Sequence, residues 1–171
     1  MPEQTPSQTV GPYFSIGLFG RAASELVQPG SPDAIRLSGR VLDGTGEPVP
    51  DAMVEIWQAG ADGSYRPDFG WGRSGCDADG RYSFVTFKPG RVLDEAGGAQ
   101  APHLTVLVFA RGLLKPVLTR MYFPDEEEAN AEDHVLSAVG DASTLVARPE
   151  EEGLEFDIRL QGEGETVFFA V

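Results

Sequence analysis

Apolar and polar positions alternate along much of this chain with the period of a strand rather than of a helix. Residues 35–43, IRLSGRVLD, set Ile35, Leu37 and Val41 against Arg36, Ser38 and Arg40, with Gly39 as an expected bulge. After the turn GTGEPVPDA comes a second predicted strand, MVEIWQA at 53–59, and then the turn ADG at 61–63. RYSFVTF at 81–87 is a third, with Tyr82, Phe84 and Thr86 on one face and Ser83, Val85 and Phe87 on the other. Residues 91–102, RVLDEAGGAQAP, read as a loop. HLTVLVFA at 103–110 is almost continuously apolar, the pattern of a strand covered on both faces. KPVLTRMYF at 115–123 continues as a strand.

Residues 124–138, PDEEEANAEDHVLSA, predict a short helix, with Pro124 near its start and acids in the first turn. STLVARPEEEGLEFDIRLQG at 143–162 predicts a hairpin around the polar RPEEEG, and ETVFFAV at 165–171 a last strand. The opening TPSQTVGPYF, residues 5–14, is too polar and too broken by Pro6, Gly11 and Pro12 for helix or strand, yet it carries Tyr13 and Phe14. The expectation is all-β: one β-sandwich of about seven to nine strands with one short helix and an extended N-terminal arm. The arm and its connecting loop take residues 1–33 and pack on a partner; the sandwich takes 34–171. Neither an internal repeat nor a βαβ alternation is present.

Composition narrows the function classes. Length 171, 41% hydrophobic residues and 9% aromatics suit one ordinary domain with a proper core, and Gly 21 and Pro 13 favour many tight turns. With 27 acidic and 13 basic residues the net charge is −14, which disfavours nucleic acid and anionic membrane as partners. The acidic runs at 125–128 and 150–152 read as solvated loop or helix-start segments. No apolar run approaches the roughly 18 residues of a membrane span. MPEQTPSQTV lacks the features of a secretory signal, and the lone Cys76 cannot form an internal disulfide, so the expected location is cytoplasmic.

Familiar catalytic motifs are missing: no CxxC, HExxH or GxSxG occurs, and GTGEP is a turn between strands. His103, His134 and Cys76 are the only imidazole and thiol groups. His134, beside Asp133, reads as a surface or capping residue, and Cys76 as a small buried residue or loop thiol. With so many acids, paired carboxylates carry no information.

Six segments in one order carry a resemblance: TPSQTVGPYF, VEIWQAGADGSY, FGWGRSG (taken as a loop), APHLTVLVFARG, TRMYFPDE and QGEGETVFF. Together they resemble the intradiol ring-cleaving dioxygenases, in particular those built from two related subunits of one β-sandwich fold. The resemblance implies that O2 opens protocatechuate between its two hydroxyl-bearing carbons, giving 3-carboxy-cis,cis-muconate. It also implies a non-haem Fe(III) held in a β subunit by two tyrosines and an H-x-H pair. Tyr65 falls on the first tyrosine ligand and His103 on the first histidine. Thr105 stands where the second histidine would be, and Val92 at about the second tyrosine. His103 and Thr105 share a strand face, so a metal would meet one imidazole and a hydroxyl there.

On this resemblance the chain is the iron-free subunit, catalytically silent by itself and without bound metal. Its partner is a homologous iron-binding β subunit, in a higher hetero-oligomer. Thr9, Gly11, Pro12 and Tyr13 would help wall the partner's substrate pocket, Gly11 by close backbone approach and Pro12 as a rigid edge. Tyr13 and Phe14 would bury their rings on the partner. Arg111, at the end of FARG, offers a two-donor fork for the substrate carboxylate and a local offset to the net negative charge. Two alternatives stay open at this point: a self-sufficient dioxygenase with atypical iron ligands, and a non-enzymatic sandwich module.

Overall fold

The computed structural model describes residues 9–11, 13–18, 23–94 and 97–170. A short helix α1 (Tyr13–Leu18) precedes strands β1 (Ile35–Leu42), β2 (Met53–Trp57), β3 (Trp71–Gly75) and β4 (Arg81–Thr86). The two-residue strands β5 (Val92–Leu93) and β6 (Ala99–Gln100) lead into β7 (His103–Phe109) and β8 (Val117–Tyr122). Helices α2 (Glu127–Glu132) and α3 (His134–Ser137) and a 3-10 turn (Ala142–Leu145) follow, then β9 (Arg148–Glu150), β10 (Gly153–Glu155) and β11 (Ile158–Arg159).

Two sheets face each other. One, in the order β3-β2-β7-β8, is wholly antiparallel. In the other, β1 pairs antiparallel with β4 on one side and parallel with β10 and then β11 on its other side, while β9 closes a hairpin on β10. Between the sheets lie Leu37, Val41, Val54, Ile56, Phe84, Leu104, Val106, Val108, Met121, Phe156 and Ile158, all buried. Removing each such side chain from water contributes about 1.5–3 kcal/mol, which is why the period-2 pattern dictates the sandwich.

The edges of the antiparallel sheet are covered, as isolated edges must be. Ala23 bridges to Arg73 and Glu25 to Val85, so residues 23–26 join the β3 edge to the β4 edge. On the far side Tyr122 bridges to Val146 and Leu118 to Phe169. No helix among the described residues is long and apolar enough to cross a membrane.

Several expectations need correction. FGWGRSG is not a loop: β3 pairs with β2 from Met53↔Gly75 to Trp57↔Trp71. Its two glycines hid the alternation. A Cβ at Gly72 would lie 2.5 Å from the Leu26 side chain and 3.3 Å from the Phe84 ring, so neighbouring side chains fill the core there. The predicted bulge at Gly39 is absent, since β1 runs in register against β4 through Gly39↔Tyr82. Glycine is required because a Cβ would sit 1.9 Å from the carbonyl oxygen of Phe156, where the chain steps from β10 to β11 along β1.

Among the described residues, three short helices replace the single one expected. Residues 124–138 divide at Asp133, whose extended backbone ends α2 and whose side chain caps α3, and a helix begins at Tyr13 despite the glycine and proline before it. Among the described residues there are eleven strands rather than seven to nine, because β3, β5 and β6 lie in stretches read as loops and GLEFDIR is divided into β10 and β11. ETVFFAV makes one bridge rather than a strand. The hairpin near residue 150 is present, but its turn falls inside the polar run, at Glu151-Glu152.

Candidate functional site

Directly opposed residues of an antiparallel pair share a face. On the outer face of the β3-β2-β7-β8 sheet the register therefore sets Trp71, Trp57, Thr105 and Arg120 in one row, with His103 opposite Tyr122 beside it. Tyr65 reaches this face from the loop between β2 and β3. That loop is folded tightly against residues 90 and 91: Gly63 has φ +76°, and a Cβ on it would lie 2.1 Å from the Arg91 carbonyl oxygen. The Tyr65 ring packs 4.9 Å from Trp57, and its hydroxyl lies 3.5 Å from Nε2 of His103. Tyr65 and His103 are thus brought together, with Thr105 on the same strand face.

His103 is held from behind. Its Nδ1 lies 2.8 Å from the Ala101 carbonyl, its ring stacks 5.6 Å from Tyr122, and it is 2% exposed. The backbone N–H of Ala101 donates to Asp133, a fully buried carboxylate that also accepts from the N–H groups of Val135 and Leu136. Burial, reinforced by the nearby Arg120 charge, pushes the His103 imidazole down to about 4. The ring is consequently neutral near pH 7. Burial raises Tyr122, against the opposing hydrogen bond from Arg120.

Val92 sits in β5 opposite Gln100 and offers no donor atom. Gln100 instead receives Nη1 of Arg120 at 2.9 Å, and the same nitrogen donates to the Tyr122 hydroxyl at 3.2 Å. Arg120, Tyr122, Gln100 and Asp133 are the residues that sequence reasoning missed. A signal existed for Arg120, the one charged residue in VLTRMYF, but its strand partner is visible only in the register.

A second group of predicted residues also meets. The hydroxyl of Thr9 accepts from the Gly112 backbone N–H at 2.7 Å, which ties the arm to the turn holding Arg111. The Phe14 ring lies 5.9 Å from Phe109 of β7, a contact with this chain's own sheet. Gly11 is exposed, with nothing within 4 Å of an added Cβ. Pro12 and the Tyr13 side chain lie outside the described residues. Arg111 is 72% exposed and pairs with Asp51 at 3.4 Å, a surface ion pair with little net energy.

Elsewhere, His134 is exposed, 3.7 Å from Asp94, and Cys76 packs partly buried against the core. A groove of about 790 Å³ lined by Val27, Ile35, Phe69, Phe87, Arg66 and Lys88 contains none of the residues singled out above.

A family model described as "Dioxygenase" matches residues 11–162. The chain is 42% identical to the protocatechuate 3,4-dioxygenase alpha chain of Pseudomonas putida, over 97% of this chain and 96% of that one. To the beta chain of the same enzyme from Burkholderia cepacia it is 34% identical, over 82% of this chain and 70% of the relative. Among solved structures, the dioxygenase domain of a dioxygenase carbohydrate-binding protein fusion from Streptomyces sp. SirexAA-E superposes with a TM-score of 0.65 at 26% identity, covering 94% and 97% of the two chains. The chain belongs to the intradiol dioxygenase family.

Proposed function

We propose that this chain is the alpha-type subunit of a protocatechuate 3,4-dioxygenase and works with a homologous beta-type chain. One observation carries the reading: the similarity to an alpha chain extends over 97% of this chain and 96% of the relative. The enzyme so formed opens 3,4-dihydroxybenzoate with O2 between its hydroxyl-bearing carbons, giving 3-carboxy-cis,cis-muconate, a step of aromatic catabolism through β-ketoadipate.

The family is iron-dependent, and the ferric ion belongs to the beta-type partner on this reading. The residues of the Tyr65–His103 cluster do not fit such an ion. They supply one phenol and one imidazole, while Thr105 adds a weak neutral hydroxyl and Val92 nothing; tyrosinate and imidazole are the donors suited to ferric iron. A guanidinium stands beside them.

This chain's contribution is positional. Thr9, Gly11, Pro12 and Tyr13, in the arm of residues 1–33, form part of the wall of the partner's substrate pocket. The Thr9 contact to the Arg111-Gly112 turn supports this by presenting arm and arginine as one edge. Arg111 faces the pocket mouth, where its exposed guanidinium draws in the anionic substrate. The reading is tested by producing the chain with and without an adjacent beta-type chain and following oxygen uptake on protocatechuate. Activity is expected only from the complex; ring opening by the isolated chain would overturn the assignment.

A further inference from the structure

We propose that Arg120 stands in for a metal cation, its guanidinium closing the Tyr65–His103 half-site to metal ions. The inference rests on the reading of this chain as the iron-free subunit, and it identifies the residue that keeps it so.

The half-site has kept its shape. Tyr65 Oη and His103 Nε2 lie 3.5 Å apart, too far for a strong hydrogen bond. Two donors that share one metal at about 2.0–2.1 Å, at a roughly tetrahedral angle, are spaced about this far apart. Only the remaining donors are missing. Thr105 stands one strand position pair away from His103 on the same face, and the residue directly across the ladder from Thr105 is Arg120.

Arg120 is anchored at its tip. Nη1 donates to Gln100 Oε1 and to Tyr122 Oη, and the Tyr122 ring stacks on His103. Both acceptors are neutral, although the chain has 27 acids to 13 bases and most of its other described arginines with a hydrogen-bonded side chain use a carboxylate. The positive charge is therefore not cancelled by an ion pair. The Arg120 nitrogen lies 3.2 Å from the hydroxyl of Tyr122, whose ring packs on His103, and repulsion between this charge and a metal ion held by His103 is strong in a half-buried setting. Arg120 also joins β8 to β6 through Gln100.

The test restores a donor and then varies the charge in the full chain, purified alone. Thr105→His creates a Tyr65, His103 and residue-105 set. The probe is Co(II), followed by its visible absorption and by metal content after dialysis, with circular dichroism confirming the fold. Thr105→His with Arg120→Gln is expected to bind Co(II) at least ten-fold more tightly than Thr105→His alone. Thr105→His with Arg120→Lys, which retains the charge, is expected to bind no better than the single variant. Arg120→Met, neutral and of comparable length, replaces Arg120→Gln if that variant does not fold. Equal affinity of the single and charge-neutral double variants, including an equal absence of binding, overturns the proposal, as does a Lys variant matching the Gln variant. Stoichiometric iron in the unaltered chain would instead overturn the iron-free reading on which it rests.

Discussion

Asp133 carries more backbone hydrogen bonds than any other acid in the region behind His103, and removing it gives a sharp prediction. Its Oδ1 accepts from Val135 and Leu136 at 2.8 and 2.9 Å, and Oδ2 accepts from Ala101 at 2.7 Å. The carboxylate is fully buried, so in Asp133→Ala water does not simply take over these three amides. A lost helix cap costs about 1 kcal/mol, and a buried donor left without a partner about 1–3 kcal/mol. The sum expected for Asp133→Ala is about 2–4 kcal/mol, a fall in Tm of roughly 10 °C for a chain of this length. Asp133→Asn separates the contributions. Its oxygen can keep both α3 amides, while its NH2 group then faces the N–H of Ala101, donor to donor. The expected cost is about 2 kcal/mol, placed specifically at the Ala101 contact. Urea unfolding at constant m-value measures both, and amide exchange at Ala101 locates the loss. Asp133→Ala within about 0.5 kcal/mol of the parent, or Asn as costly as Ala, refutes the reasoning.

Three further outcomes are expected. Gly39→Ala drives a methyl group into the Phe156 carbonyl and should destabilise the fold by about 3 kcal/mol or more in urea unfolding, since neither backbone segment can move without breaking a ladder. Cys76, pushed up to about 12 by burial and then by the Asp77 and Asp51 charges, should show no thiolate absorbance at pH 9–10 in the folded chain. The unfolded thiol ionises near its ordinary value of 9.0, so between there and about 12 the unfolded state binds fewer protons. Stability must fall as pH rises through that window, and Cys76→Ser should lessen the slope. Arg111→Ala in the assembled enzyme should raise KM for protocatechuate with kcat little changed; an unchanged KM removes the steering role, leaving only the surface pair with Asp51.

The fold was legible wherever a strand buries one face. Residues 35–42, 81–86 and 103–109 announce themselves because Leu37, Phe84 and Val106 alternate with partly exposed neighbours. β3 was not legible, because its inward positions are Gly72 and Ser74 and the volume opposite is supplied by Leu26 and Phe84. The parallel pairing of β1 with β10 and β11 is set by contacts across more than a hundred residues, beyond the reach of local pattern. At the site, Tyr65, His103 and Thr105 could be named from motif order. Arg120 and Gln100 could not, since what makes them neighbours is a two-stranded ribbon too short to show a period.

On the proposed iron-free reading, the presence of Tyr65 and His103 without the other donors has a physical explanation that needs no metal. His103 is buried, and its Nδ1 bonds to the Ala101 carbonyl, whose own amide is held by the Asp133 carboxylate that caps α3. Deleting the imidazole would leave a buried carbonyl without its partner and a void beside Tyr122. Tyr65 lays its ring on Trp57, which would otherwise present more apolar surface on the sheet's outer face. Both residues thus stabilise the sandwich by contacts that Thr105 and Val92 never had to make. Donors without such a structural duty can be replaced at little energetic cost, whereas donors built into the packing cannot. On that reading, the half-site is the part of a ligand set that the fold itself requires.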